Sequence, residues 1–130
     1  MALQDNLYHI TAQTTLPEGE GGGAVYRIAL HPDSAIYRAH FPSRPITPGA
    51  CMIQIVEELA RRYFADATLQ VRSITNLKFL ALLEPHDHPC FDVLLRGTPT
   101  HLQATFRDGS LIFARLTLAL FSITNYRIEE

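Results

Sequence analysis

Residues 40–63 read HFPSRPITPGACMIQIVEELARRY, and this stretch decides how the rest of the chain is organised. It contains three prolines within seven residues, namely Pro42, Pro45 and Pro48. Because proline lacks an amide hydrogen and has a fixed φ, this part is predicted to be a stiff extended loop, neither helix nor central strand. A helix can begin only after Pro48.

From Gly49 onward, apolar residues recur at the spacing of an α-helix. The pairs Glu57–Arg61 and Glu58–Arg62 have the favourable i,i+4 order, so both are expected to form ion pairs along the helix. The apolar positions leave little of the circumference polar, which predicts a helix largely enclosed by the protein. They are Met52, Ile53, Ile55, Val56, Leu59, Ala60, Tyr63 and Phe64.

The junction of loop and helix is the part of the sequence that indicates chemistry. Gly49 and Ala50 fall in the first helical turn, where backbone N–H groups have no acceptor within the helix and carry partial positive charge. His40, at the start of the loop, has a side chain that titrates near neutral pH. A lone histidine is more often structural, but here the loop directs it towards bare amides. The pattern predicts an anion-stabilising site.

Composition limits the other classes of function. The 130 residues are expected to form one domain, 1–130, and the net charge of −2 provides no basic surface for nucleic acid. No apolar run is long enough to cross a membrane, and the N-terminus lacks a basic region followed by an apolar one. Cys51 and Cys90 are expected to be reduced and buried, which favours a cytoplasmic location.

The remaining pattern is that of β-strands. The glycine-rich segment 16–23 is predicted to be a hairpin connection and not a phosphate loop, because no Lys-Ser or Lys-Thr follows it. One long helix and five or six antiparallel strands indicate an α+β domain in which the sheet curls around the helix. Strands are expected at residues 7–14, 24–30, 69–83 (bent at Asn76), 91–96, 101–106 and 111–121.

Three short motifs stand in a fixed order within the central stretch: His40-Phe41-Pro42, Arg44-Pro45 and Pro48-Gly49. Together they resemble the hotdog-fold 3-hydroxyacyl-[acyl-carrier-protein] dehydratases, the FabZ-like family. The close match covers residues 40–58, and a looser one continues to about residue 121. The resemblance implies a hotdog fold, in which an antiparallel sheet of five to six strands wraps around one long central helix.

The resemblance also implies a role for each motif residue. His40 would be the general base that removes the C2 proton of a 3-hydroxyacyl thioester. The N–H of Gly49 would bind the thioester carbonyl oxygen as negative charge develops on it, with Ala50 and Pro48 in the same binding site. Phe41 and the apolar helix residues would line the tunnel for the acyl chain.

One position departs from the family pattern. The acid that protonates the departing hydroxyl lies fourteen residues after the histidine in the family, and here that residue is Gln54. An amide can bind the hydroxyl but cannot deliver a proton, and loss of a general acid typically costs about 10² to 10⁴ in rate. Gln54 is therefore either a positioning amide or a relic of an inactive site. Glu58 is a possible displaced acid, although pairing with Arg62 is the simpler interpretation.

The resemblance implies a lyase that converts 3-hydroxyacyl groups to trans-2-enoyl groups in fatty-acid or related acyl biosynthesis. Its substrate would be an acyl carrier protein bearing a phosphopantetheine-linked chain. It would act as a homodimer or a trimer of dimers, with each tunnel using the histidine of one chain and the helix acid of the other. An alternative is a non-catalytic or half-site acyl-binding subunit that needs an acid-bearing homologue as heterodimer partner.

A weaker alternative is an acyl thioesterase, in which Glu58 or Asp66 would activate water. No cofactor and no metal are predicted, because the cluster His86-Asp87-His88 with Cys90 lies in a short proline-bounded turn that is expected to face solvent. Cys51 lies near a helix N-terminus, which can lower a thiol pKa, but an inert packed cysteine is the favoured interpretation.

Overall fold

The computed structural model describes residues 2–40, 43 and 45–123, with His40 described in its backbone alone. The helices are α1 (Ala35–His40) and α2 (Gly49–Tyr63), and a short 3-10 turn spans Glu18–Glu20. The strands are β1 (Tyr8–Thr15), β2 (Ala24–Leu30), β3 (Leu69–Phe79), β4 (Cys90–Thr98), β5 (His101–Asp108) and β6 (Leu111–Ser122).

The strands of the described residues form one six-stranded sheet in the order β1-β2-β4-β5-β6-β3. All neighbouring strands are antiparallel. The chain leaves β2 near one edge and returns as β3 at the other, so the segment containing α2 must cross the sheet. The predicted α+β arrangement of a sheet with one long helix is confirmed.

The core lies between α2 and the inner face of the sheet. Burying each large apolar side chain contributes roughly 1.5–3 kcal/mol, so this face of α2 accounts for much of the driving force for folding. Only Ala50 and Arg62 are exposed along the helix, which confirms the prediction of an enclosed helix. The buried helix residues are Met52, Ile55, Val56, Leu59 and Ala60, and the largest sheet side chains among the core residues include Tyr26, Phe91, Phe106 and Phe113.

Strand β3 is an edge strand with an irregularity in the middle. Asn76 has a φ of +54°, and the register with β6 shifts between Thr75 and Lys78, so the expected bend at Asn76 is present. The strand ends at Phe79, earlier than the predicted end at residue 83, although the N–H groups of Leu80 and Ala81 still donate to the carbonyl of Phe113 in β6. Four large apolar side chains here are between 39% and 54% exposed: Leu77, Phe79, Leu80 and Leu82.

The segment that ends at His40 differs from the prediction. His40 was expected at the start of an extended loop, but it is the last residue of the short helix α1, to which residues 36 and 37 also belong. The Ser34 hydroxyl accepts a hydrogen bond from the N–H of Ile36 at 3.3 Å, as an N-cap residue does. Proline prevents a helix from continuing beyond this point but does not disfavour one before it.

Neither Cys51 nor Cys90 forms a disulfide bond. None of the helices in the described part of the chain combines the length and the apolar character that a membrane crossing would require.

Candidate functional site

An apolar cavity of about 240 Å³ opens at the N-terminus of α2. Its wall consists of the end of the proline-containing loop, the first turns of the helix and the segment that follows β3. The loop, helix and edge strand thus meet at the point where the sequence predicts a binding site. The lining residues are 46–49, Met52, Phe79 and 81–83.

The first turn of α2 presents backbone donors at this cavity. Pro48 is the N-cap residue, is extended (φ −61°, ψ 145°) and provides no side-chain hydrogen bond to the helix. The N–H groups of Cys51 and Met52 bond back to the Pro48 carbonyl. No residue of the described chain accepts a hydrogen bond from the N–H of Gly49 or Ala50. These N–H groups, together with the helix dipole, can stabilise an oxygen atom that acquires negative charge.

The absence of a side chain at position 49 has a steric cause. A Cβ atom on Gly49 would lie 2.5 Å from Cζ and 2.9 Å from Cε2 of the Phe79 ring, well inside van der Waals contact. The ring of Phe79 therefore packs directly against the helix backbone at Gly49, in space that a side chain at this position would occupy. Phe79 itself is 50% exposed, so the aromatic wall of the cavity lies at the surface of the edge strand.

A buried hydrogen bond fixes α1 to the loop beside the cavity. The Tyr37 hydroxyl and the Thr47 hydroxyl are 2.8 Å apart, and the Thr47 N–H donates to the carbonyl of Leu83 at 2.8 Å. Burial raises the pKa of Tyr37 to about 12, so its hydroxyl stays protonated near neutral pH. His40 follows Tyr37 by three residues in the same helix, about 4.5 Å along its axis. The backbone that carries His40 is thus anchored next to the N-cap of α2.

Some of the predicted site residues lie at the cavity, and others lie outside the described residues. Pro48 and Gly49 line the cavity, and Ala50 is exposed in the same helical turn. Phe41 and the side chain of His40 lie outside the described residues. The roles assigned to these residues stay predictions.

Gln54 and Glu58 form a polar network on another face of α2. Oε2 of Glu58 accepts hydrogen bonds from the Leu3 N–H (2.7 Å) and from Nε2 of Gln54 (3.0 Å). Oε1 accepts from the Gln4 N–H (2.9 Å) and from the Tyr8 hydroxyl (2.9 Å). We refer to residues 2–8 as the N-terminal segment. It lies over this face of the helix and supplies three of these four donors.

The expected pairing of Glu58 with Arg62 is wrong. Both carboxylate oxygens of Glu58 already accept hydrogen bonds from the N-terminal segment and Gln54. Nε of Arg62 donates instead to Oε1 of Gln13 at 3.2 Å. All four groups that contact the Glu58 carboxylate donate hydrogen bonds to it. None of them is placed to accept a proton from Glu58. Burial and the bond to Glu58 raise the pKa of the Tyr8 phenol.

Gln54 is not among the residues that line the cavity at Gly49. It lies five residues further along the helix, which rotates its side chain by about 140° from the direction of position 49. Within one chain, the bare amides and Gln54 therefore face different directions.

The other acidic residues on or near the helix have structural contacts. Glu57 pairs with Arg61 at 3.0 Å, as predicted, and also accepts from the N–H of Val71 at 2.8 Å. Asp66 accepts from the N–H (2.9 Å) and the hydroxyl (2.6 Å) of Thr68, and these bonds lower the pKa of its carboxyl. It follows the C-terminus of α2, about 22 Å of helix from the cavity, so it cannot activate water there within one chain.

Two further groups of interest in the sequence are structural. His88 pairs with Asp108 at 3.0 Å, and the described residues contain no group of three side chains positioned to hold a metal ion. Partial burial raises the pKa of the Cys51 thiol. The interpretation of Cys51 as an unreactive packed cysteine is supported.

Sequence reasoning missed three contributions to this region: Phe79, the Tyr37–Thr47 bond and the N-terminal segment. Ser34 before a short helical run is an N-cap signal that could have predicted α1. The other contacts join residues far apart in the chain, and no local pattern indicates them.

A family model described as ApeI-like, ApeI dehydratase, matches residues 16–110, which is well over half of the chain. An uncharacterized protein from Erwinia carotovora subsp. atroseptica has a similar structure, with a TM-score of 0.72 and 18% identity over 91% of this chain and 98% of that protein. The dehydratase heterocomplex ApeI:P from Xenorhabdus doucetiae is also similar, with a TM-score of 0.68 and 19% identity over 85% of this chain and 95% of that one. No curated protein matches the sequence. These likenesses confirm the predicted hotdog fold.

Proposed function

Because the chain belongs to the ApeI-like dehydratase family, we propose that it dehydrates 3-hydroxyacyl thioesters carried on acyl carrier protein to trans-2-enoyl thioesters. The family matched is ApeI-like, whereas the sequence motifs resemble the FabZ-like dehydratases. Dehydratase chemistry is common to both. The carrier protein, the phosphopantetheine linkage and the 3-hydroxyacyl substrate belong to this proposal.

The observation that carries the proposal is the pair of unpartnered N–H groups, Gly49 and Ala50, at an apolar cavity. In the proposed reaction, His40 removes a proton from C2, and the electron pair of that C–H bond moves into the thioester to form an enolate. The N–H of Gly49 stabilises the enolate oxygen. Return of the electrons forms the C2–C3 double bond and expels the 3-hydroxyl group, which leaves as water once it gains a proton.

The source of that last proton separates two versions of the proposal. Gln54 cannot supply it, and the acid position faces away from the cavity of its own chain. In the first version, water supplies the proton while Gln54 positions the hydroxyl. In the second version, this chain is a half-site subunit. A homologous partner chain supplies the acid to the tunnel that uses His40 of this chain. The solved ApeI:P relative is itself a heterocomplex, which supports the second version.

The edge of the sheet supports association with a second hotdog chain, either a copy or a homologue. The exposed apolar side chains of residues 77–82 lie beside the cavity and along the unpaired edge of β3. Apolar surface of this kind is characteristic of an interface. A partner placed there would enclose the cavity and bring its own helix towards it.

The proposal is tested with the purified chain and 3-hydroxyacyl thioesters on acyl carrier protein, following enoyl formation. Turnover that His40→Ala abolishes supports the first version. Turnover that begins when an acid-bearing homologue is added, or when Gln54→Glu is introduced, supports the second. If no thioester is dehydrated or bound under any of these conditions, the proposed function is wrong.

A further inference from the structure

A second cavity, of about 400 Å³, lies where the neighbouring strands β5, β6 and β3 run side by side. Ala104 of β5 and Leu116 of β6 belong to the core, and the residues on either side of them in each strand point to the opposite face of the sheet. The polar side chains of this cavity therefore lie on the face away from α2, and we call it the outer-face cavity. Its lining residues are Asn76, Lys78, Gln103, Ala104, Thr105, Arg115, Leu116 and Thr117.

Two cations meet in the outer-face cavity. Lys78 of β3 and Arg115 of β6 are direct partners in the antiparallel register, so their side chains leave the same face of the sheet at neighbouring positions. Neither forms an ion pair with another residue of the described chain, and the lining contains no acidic side chain from that part of the chain. Asp92 in β4 pairs instead with Arg27 at 3.3 Å. Like charges directly opposite each other repel, and an anion placed between them would replace this repulsion by two attractions.

Uncharged donors stand beside the two cations. Thr117 is only 9% exposed and lines the cavity, yet no residue of the described chain forms a hydrogen bond with its hydroxyl. Thr105 and Gln103 of β5 are the register partners of Arg115 and Thr117, so they lie on the same face. A hydroxyl that is nine-tenths buried normally has a partner, so the unpartnered Thr117 hydroxyl indicates a bound group that can accept its hydrogen bond.

A β-bulge brings Lys78 into this cavity. Between its pairings with Thr117 and Arg115 of β6, strand β3 contains one residue more than a regular ladder allows. The irregularity lies at Asn76, which has a φ of +54° and lines the cavity. Without the extra residue, Leu77 would oppose Arg115 and Lys78 would point towards the inner face, since a shift of one residue exchanges the two faces of a strand. Bulges that redirect a side chain in this way are frequent beside functional sites.

We propose that the outer-face cavity binds a phosphate group in its dianionic form, either as a phosphate monoester or as inorganic phosphate. Such a group carries about −1.5 to −2 charges near pH 7, which matches the two cations. The guanidinium of Arg115 can donate two parallel hydrogen bonds to its oxygens, and the ammonium of Lys78 and the hydroxyl of Thr117 can donate to the others. The cavity lies on the opposite face of the sheet from α2, so this inference does not depend on the proposed dehydratase activity.

The first test measures the Kd of inorganic phosphate by NMR titration of ¹⁵N-labelled protein, with chloride at equal ionic strength as the reference. We expect saturable shifts concentrated in the amides of the lining residues. Lys78→Gln and Arg115→Gln should each raise the Kd about tenfold or more, as for loss of a hydrogen bond from a charged group. Thr117→Val keeps the shape of the side chain and should raise the Kd about two- to tenfold.

Arg72→Gln is the matched control. Arg72 is an exposed cation of the same strand β3 but does not line the cavity. This variant removes the same charge and should change the Kd of phosphate less than twofold. An equal loss of affinity in Arg72→Gln and Arg115→Gln would indicate diffuse attraction of anions to the surface and would overturn the site. Shifts with phosphate that do not exceed those with chloride would overturn it as well.

A second experiment distinguishes the two sources of the phosphate group. Coenzyme A carries a 3′-phosphate monoester that dephospho-coenzyme A lacks. Coenzyme A that binds at least tenfold tighter than dephospho-coenzyme A, with the difference lost in Lys78→Gln, supports a nucleotide monoester as the ligand. Saturable binding of inorganic phosphate without such a difference supports the free anion. Absence of saturable binding by inorganic phosphate and by both coenzymes overturns the proposal, whatever the dehydratase assay gives.

Discussion

An acid introduced at position 54 should form a pair of carboxyl groups with Glu58 and not an isolated carboxyl. In Gln54→Glu, a carboxyl oxygen replaces the amide nitrogen that lies 3.0 Å from Oε2 of Glu58. At that distance two unit charges repel by roughly 1.4 kcal/mol in water and by roughly 5.5 kcal/mol at an effective dielectric constant of about 20. At about 1.4 kcal/mol per pKa unit, the pair should raise the pKa of the new carboxyl by about 1 to 4 units.

Gln54 is half-buried, so a middle value of about 2 units is expected, from about 4.3 in the unfolded chain to about 6 in the folded protein. Between these two values the folded state binds more protons than the unfolded state. The free energy of unfolding should therefore decrease as pH rises, by about 3 kcal/mol in total. Below pH 5 the protonated carboxyl can donate to Glu58 as the amide did, and the variant should approach wild-type stability.

Urea unfolding followed by circular dichroism at pH 4.5 to 8.5 measures this difference for wild type and Gln54→Glu. The double variant Gln54→Glu/Glu58→Gln contains one carboxyl, so its pH dependence should be nearly flat even if its overall stability is lower. A Gln54→Glu curve parallel to that of the wild type across the whole range would refute the contact between the two side chains.

Three further measurements follow from the structure. Tyr37→Phe should lower the free energy of unfolding by about 1–2 kcal/mol, because it removes a buried hydrogen bond and leaves the Thr47 hydroxyl without its partner; adding Thr47→Val should cost little more. Leu80→Asp, in the segment that directly follows the edge strand β3, should convert an associated protein to monomers in size-exclusion chromatography with light scattering, whereas Thr14→Asp on the opposite edge should not. Asp66 has a lowered pKa, so its contribution to stability is present above pH about 4 and lost as pH falls. Asp66→Asn should therefore make the free energy of unfolding decrease less steeply between pH 4 and 2. An acid-unfolding curve unchanged from that of the wild type would contradict the lowered pKa of Asp66.

Local pattern was sufficient to predict most of the fold. The start of α2 at Gly49 follows from Pro48, and β2 follows from alternation within AVYRIAL, so both begin where expected. The bend at Asn76 was also predictable, because asparagine tolerates a positive φ better than most residues. The end of β3 was predicted too late, since the apolar run to residue 83 continues after the regular register with β6 has ended at Phe79, with only the N–H groups of Leu80 and Ala81 still bonded to Phe113.

The site was less predictable because its contacts are long-range. The motif predicted Gly49 and Gln54 as site residues, and those roles stay predictions; the ring that packs on Gly49 belongs to Phe79, thirty residues later. The i,i+4 rule predicted Glu57–Arg61 correctly and Glu58–Arg62 wrongly. A surface ion pair contributes only a few tenths of a kcal/mol, whereas hydrogen bonds from buried donors to a charged group contribute roughly 1.5–3 kcal/mol each. Glu58 therefore binds the N-terminal segment and not Arg62.

The same comparison explains why the acid and the amide cannot simply change places on α2. A neutral side chain in place of Glu58 would leave some of the donors at Leu3, Gln4 and Tyr8 without an acceptor. A second carboxylate at position 54 would then lie against the first and be ionised only at a cost in stability. This face of the helix therefore accommodates one negative charge, and the N-terminal segment places it at Glu58. A protein of this architecture that requires a proton donor must obtain it from solvent or from another chain.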